Sequence, residues 1–363
     1  MFNVYDFFNR INEVKPPIRL DVGQPDIPVR EEIIWATVDS LRRGETGYTS
    51  TTGIAELREA IADSEGVSSD EVIVSPGAKI LIAAEIAMAS RIAVISPHWN
   101  AYSLIAHQFG KEVEVIETSL ENGWRPVIEE LNADLLILNY PNNPTGRVLS
   151  KGELGKVVDA AQEAGVKVLS DEVYAEISFK EFTPVRELYD NVVTVKGFSK
   201  LYSMTGFRLG YAIADRDEIG RIKKFIESTV TCVPPFVQRA GLKALELKAE
   251  LSREVREVYR ERARLASRIL RGLDFYEPEG AFYLFLRVPY DGMAFAERLL
   301  ERGVAVFPGK AFGNYENFIR ISLSGNDVEK GLRRIREEAE CALESSATER
   351  WGDSSRGASM EAK

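Results

Sequence analysis

The 363 residues predict an α/β chain: a mainly parallel, doubly wound sheet in a large unit, followed by a smaller α+β unit. Three observations carry this expectation. Short, almost wholly apolar runs alternate with segments of helical period, the pattern of strands covered on both faces. The length exceeds one ordinary domain, at roughly 150 residues each. The composition, 45% hydrophobic and 28% charged, provides for a sizeable core.

In chain order, strands are expected at 72–74, 92–95, 113–116, 135–138, 166–169, 192–195 and 209–214, with helices at 78–90, around 102–109 and at 150–164. Residues 216–271 read as long helix, interrupted at Pro234-Pro235, where the missing N–H groups break the ladder. Beyond it, strand-like runs at 281–288 and 318–323 mix with helical period near 293–302 and 327–342. The chain thus divides into a large unit at 44–271 and a small one at 272–343, with residues 1–43 packing against the small unit. Residues 344–363, polar and rich in serine and glycine, are expected to form a disordered tail.

Charge and residue scarcity exclude several functions. Lys+Arg is 46 against Asp+Glu 56, a formal charge of −10, which argues against nucleic acid or an anionic membrane as partner. Cys232 and Cys341 form no CxxC pair and read as reduced thiols, and the first residues lack the charge and apolar pattern of a signal peptide; a cytoplasmic protein is expected. The most apolar stretch, 80–96, is broken by Glu85 and Arg91, so no span is expected. With only His98 and His107, a three-histidine metal site is impossible, and no metal is expected. The arginine-rich 253–271 run is interleaved with glutamates and reads as a solvated helix.

Ligands of doubly wound sheets bind at the carboxyl ends of the strands. Three strand ends carry conspicuous chemistry: Asn139-Tyr140-Pro141-Asn142-Asn143-Pro144-Thr145-Gly146, then Ser170-Asp171-Glu172-Val173-Tyr174, then Lys196-Gly197-Phe198-Ser199-Lys200 running on to Thr205-Gly206-Phe207-Arg208-Leu209-Gly210. Each alone reads as a turn, a cap or a surface charge; their placement on successive strands brings them together.

These motifs resemble those of the fold-type I pyridoxal-phosphate aminotransferases of class I/II, aspartate aminotransferase-like. The resemblance runs in order from Val22-Gly23-Gln24-Pro25-Asp26 to Phe318-Ile319-Arg320-Ile321-Ser322-Leu323. It implies the fold-type I transferase fold and pyridoxal 5'-phosphate as cofactor. Lys200 becomes the amine that forms an imine with the cofactor's aldehyde and then shuttles the proton at the substrate Cα. Asp171 becomes the carboxylate that keeps the ring nitrogen protonated. Asn143 and Tyr174 match the donors to the phenolic oxygen, and Trp99 the aromatic stacked on the ring.

Gly77-Ala78-Lys79 at a helix start, with Arg208, matches the phosphate site. Many relatives carry Ser or Thr where Gly197 stands, which leaves Ser199 as the nearby hydroxyl. Arg320, with Asn143 and Gly23, matches the site for the substrate α-carboxylate, and Lys79 the lysine that faces a distal carboxylate in one subgroup. Tyr48 matches the tyrosine that reaches the neighbouring subunit's phosphate, implying a homodimer. The activity implied is transfer of an amino group from an L-amino acid to a 2-oxo acid, 2-oxoglutarate being favoured. C–S lyases and decarboxylases of the same fold are the alternative. Non-enzymatic cofactor-binding regulators usually carry a fused DNA-binding module or lose the lysine, and this chain does neither.

Overall fold

Helix α1 (Val4–Val14) and the short strand β1 (Ile18–Arg19) open the computed structural model, which describes residues 4–325 and 327–357. Helices α2 (Glu31–Arg42) and α3 (Ala55–Glu65) lead to β2 (Val72–Ser75), α4 (Ala78–Met88), β3 (Arg91–Ser96), α5 (Ala101–Gln108) and β4 (Glu112–Glu117). Then follow β5 (Leu135–Asn139), α6 (Lys151–Ala164), β6 (Lys167–Asp171), β7 (Val192–Gly197) and β8 (Gly210–Ile213). These strands form one seven-stranded sheet in the order β2-β8-β7-β6-β5-β3-β4. Pairing is parallel from β4 through β7, and β8 alone runs against its neighbours β7 and β2. The expected mainly parallel α/β sheet is the sheet observed.

The two-faced apolar code of the strands is visible in the packing. On β3 and β5, Ile92, Val94, Leu135 and Ile137 join Leu81, Ile82 and Ile86 of α4. Their alternates Ala93, Ile95, Leu136 and Leu138 join Leu154, Val157 and Ala161 of α6 on the other face. Edge strand β4 carries exposed Glu112 and Glu117, which discourage pairing with another chain. A capping box between Ser150 and Glu153 starts α6, and Gly165 at φ 66° ends it.

Helices α7 (Arg216–Thr229), α8 (Pro235–Glu246) and α9 (Lys248–Ile269) cover the expected long helical stretch. The break at Pro234-Pro235 is present. A second break, at Leu247, has neither glycine nor proline to announce it. The remainder holds β9 (Tyr283–Arg287), α10 (Gly292–Glu301), β10 (Val304–Ala305), β11 (Phe307–Pro308), β12 (Phe318–Ser322) and α11 (Val328–Gly357). Strands β11, β12 and β9 form an antiparallel sheet, while β1 pairs in parallel with β10 through Ile18 and Val304. The backbone of α11 continues through 344–357, where the sequence predicts a disordered tail; residues 358–363 of that tail lie outside the described residues. Among the described residues no helix is long and apolar enough to cross a membrane, and no cluster of side chains could hold a metal.

Candidate active site

Strands β5, β6 and β7 are neighbours in the sheet, so their carboxyl ends open onto one cavity of about 440 Å³. At the end of β5, the Asn139 amide donates to the Asp171 carbonyl at 3.0 Å, and its Oδ1 accepts the Asn143 N–H at 3.1 Å. This one side chain fixes the turn that presents Asn143 relative to the end of β6.

Asp171 is buried. Its Oδ2 accepts the Tyr102 hydroxyl at 2.6 Å, and its Oδ1 the Val173 N–H at 3.4 Å. Burial pushes the carboxyl up to about 6, while the Tyr102 and Val173 hydrogen bonds and the Lys200 charge pull it down.

The two lysines at the end of β7 have opposite fates. Burial lowers the Lys196 ammonium, but the charges of Glu176, Glu65 and Glu172 outweigh this and raise it above the usual lysine value. Its Nζ lies 2.9 Å from both Glu65 and Glu176. Lys200 has no such carboxylate pair. Its amine donates to the Gly23 carbonyl and sits 5.5 Å from the Tyr174 ring centre and 5.8 Å from that of Phe282. Burial, reinforced by the charges of Arg320 and Arg208 and opposed by Asp171, brings it down to about 8. Of the two, Lys200 gives up its proton far more readily.

The opposite wall is built for anions. Gly77, at φ 83°, caps α4, and a Cβ there would collide with the Arg208 guanidinium; one on Gly210 would lie 2.7 Å from the Ala78 nitrogen. Two glycines thus let Arg208 and strand β8 close in on the start of α4, whose first N–H groups have no partner within the helix. Arg208 itself sits at φ 55° and donates to the Thr205 carbonyl at 2.8 Å. Ser199 and Ala78 line the same space. Lys79 lies 5.1 Å from the Trp99 ring centre, held below its usual pKa by partial desolvation and the Arg208 charge.

Arg320, on β12, closes the cavity. It is buried among Tyr283, Phe312 and Phe307, with ring centres 4.7, 4.9 and 5.5 Å from the guanidinium carbon. It donates to Asn143 Oδ1 at 3.1 Å and to the Asp21 carbonyl, and its Nε has no partner. A buried guanidinium in a cavity wall is suited to a carboxylate.

Of the residues singled out in the sequence, Gly23, Ala78, Lys79, Trp99, Asn143 and Asp171 line this cavity, as do Tyr174, Ser199, Lys200, Arg208 and Arg320. Gly77 borders it through Arg208. Tyr48 does not reach it and is 91% exposed. Sequence reasoning missed Tyr102, Asn139, Asp21 and Tyr283. A buried tyrosine must pair its hydroxyl, but nothing local says with what.

Residues 15–335 match the family described as aminotransferase class I and II. Over 361 residues the chain is 74% identical to an aspartate aminotransferase of Thermococcus kodakarensis, covering 99% of each. The chain belongs to the class I and II aminotransferases. The crystal structure of a Thermotoga maritima aspartate aminotransferase matches this class I/II aminotransferase with a TM-score of 0.86 at 33% identity, over 93% of this chain and 96% of that one. The aspartate aminotransferase of Thermus thermophilus with maleate matches with a TM-score of 0.86 at 30% identity, over 94% and 97%.

The family resemblance read from the motifs therefore holds. This aminotransferase has fold type I, is a transaminase and depends on pyridoxal 5'-phosphate. The residues present fit that cofactor: a glycine-walled cradle at the start of α4 with Arg208 beside it, a buried carboxylate, and an amine with a lowered pKa.

Proposed function

We propose that this aminotransferase takes its amino group from an acidic L-amino acid and passes it to 2-oxoglutarate or a similar dicarboxylic oxo acid. The observation that carries this reading is the pair of cationic walls, Arg320 with its unpartnered Nε and Lys79 beside Trp99, lining one cavity. A substrate with a carboxylate at each end suits both. The names of the relatives, aspartate aminotransferases among them, support the same substrate class.

Pyridoxal 5'-phosphate, when bound, supplies an aldehyde and an electron-withdrawing ring. Lys200 holds it through Nζ and, once that amine is free, removes and returns the proton at the substrate Cα. Asp171, kept in place by Tyr102, would hold the proton on the ring nitrogen. Tyr174 and Asn143 would donate to the phenolic oxygen. Trp99 would supply the aromatic contact to the ring. Gly77, Ala78, Lys79, Ser199 and Arg208 surround the phosphate. Arg320 takes the α-carboxylate, with Asn143 and Gly23 beside it. The chain divides for this purpose into residues 44–271 carrying the cofactor and 272–343 carrying Arg320.

With cofactor saturating, Lys79→Ala is expected to lower kcat/KM for dicarboxylic substrates about 10-fold more than for neutral ones, the scale of one partly solvated charge-assisted hydrogen bond, any effect through the phosphate being common to both. An amino-donor panel against 2-oxoglutarate, pyruvate and oxaloacetate measures this. Unaltered selectivity would refute the role of Lys79. The same panel separates transfer from C–S lysis or decarboxylation, which release ammonia or carbon dioxide without consuming the oxo acid.

The working form is a homodimer. Tyr48 at 91% exposure, with Trp35 at 54% and Ile34 at 45% on α2, supports a covered apolar face here. Sedimentation should give a dimer. Tyr48→Phe should weaken retention of the cofactor by about 10-fold, since each subunit's phosphate loses one hydroxyl donor. A monomer retaining full activity would exclude this arrangement.

A further inference from the structure

Tyr283 is buried at the start of β9, and three observations single out its hydroxyl. It lies 2.8 Å from the Tyr174 hydroxyl, with the two rings edge to face at 5.6 Å. Its ring packs against the Arg320 guanidinium at 4.7 Å. It also occupies the space that a side chain on residue 23 would need, since a Cβ on Gly23 would collide with the phenol oxygen.

Two phenols in contact must choose a donor. If Tyr174 donates to Tyr283, its one proton is used up inside the protein. If Tyr283 donates, the Tyr174 proton is free to point into the cavity. The surroundings favour the second arrangement. Arg320 packs against the Tyr283 ring at 4.7 Å, nearer than the 5.5 Å from Lys200 to the Tyr174 ring, and the phenol with the nearer cation is the more acidic and the better donor.

We propose that Tyr283 is a positioning residue: its hydroxyl donates to the Tyr174 oxygen and commits the Tyr174 proton to the phenolic oxygen of the bound cofactor. This rests on the placement of the cofactor proposed above. Tyr283 touches neither the reacting Cα nor the phosphate; it acts through Tyr174. The charged and titratable groups facing the pair are Arg320 from β12, Lys200 beyond β7, Asp171 at the end of β6 and Tyr259 from α9.

The test reads the absorbance of the holoenzyme against pH. A donor to the phenolic oxygen favours its anionic form, so losing that donor makes the oxygen hold its proton more tightly and raises the pH midpoint of the visible band. Tyr283→Phe leaves the Tyr174 donor in place but removes the hydrogen bond that polarises it, and is expected to raise the midpoint by about 0.2–0.5 unit, a fraction of one net hydrogen bond. Tyr174→Phe should raise it by at least as much, and the double variant no further than Tyr174→Phe alone, because the two hydroxyls act as one unit.

An unmoved midpoint in Tyr283→Phe, or additive shifts in the double variant, would overturn the inference while leaving the cofactor placement intact. A wild-type protein without a visible band that depends on Lys200 would overturn both. Should Tyr283→Phe not accumulate as folded protein, Gly23→Ala displaces the same hydroxyl and should produce the same upward shift. No shift there overturns the inference equally.

Discussion

Replacing Lys200 by alanine is expected to remove both the visible absorbance of the bound cofactor and the turnover, with kcat falling by about 10⁴-fold or more, since covalent attachment and proton transfer are lost together. No neighbouring amine can take over. Lys196, four residues earlier, is held as a cation between Glu65 and Glu176, and Lys79 stands against Trp99. The Lys200 amine carries a pH signature of its own. With the Lys200 amine at about 8 in the cofactor-free protein, the neutral fraction falls about tenfold for each unit below that value. The rate of cofactor uptake should therefore rise with pH up to about 8 and level off above it. Stopped-flow absorbance on cofactor-free protein measures this. Residual turnover in Lys200→Ala, or uptake indifferent to pH, would remove the central role given to this amine.

Most of the frame was legible because its causes are local. A strand buried on both faces must be apolar on both, so β3, β5 and β6 announce themselves, and a parallel order puts their last residues side by side. Asp171 and Lys200 stood out because both follow strand ends, where this architecture binds ligands, and both line the cavity; the roles proposed for them come from the family resemblance. What stayed hidden is tertiary. Tyr102 meets Asp171 across 69 residues and Tyr283 meets Tyr174 across 109, with no local pattern to link them. The two lysines of Lys196-Gly197-Phe198-Ser199-Lys200 differ only in which carboxylates the fold brings near, and Glu65 comes from α3, 131 residues from Lys196. The turn at Leu247 lacks a breaker residue, and the helical backbone at 344–357 runs against a composition that favours disorder. Composition weighs average tendency, and continuation of α11 adds residues to a helix already nucleated.

Asp171→Asn tests the other half of the chemistry, the half that depends on charge rather than covalency. The amide keeps the carboxylate's shape but has a single oxygen, so it can accept the 2.6 Å hydrogen bond from Tyr102 while giving up the longer one from the Val173 N–H. It has no charge with which to hold a proton on the ring nitrogen. Loss of this buried, preoriented charge is expected to cost about 10²–10³-fold in kcat, with KM changed far less, because the substrate contacts proposed for Arg320 and Lys79 do not pass through it. The pH dependence has a definite sign. Burial raises the Asp171 carboxyl to about 6 in the cofactor-free protein. A cation placed opposite favours the ionised form, so the acid limb of the wild-type profile should lie at or below that value, with activity rising as pH increases through it. Asp171→Asn has no group titrating there, so its low activity should be flat across the same range. A variant with near wild-type kcat, or one that keeps the acid limb, would show that the proton on the ring nitrogen is governed by another residue.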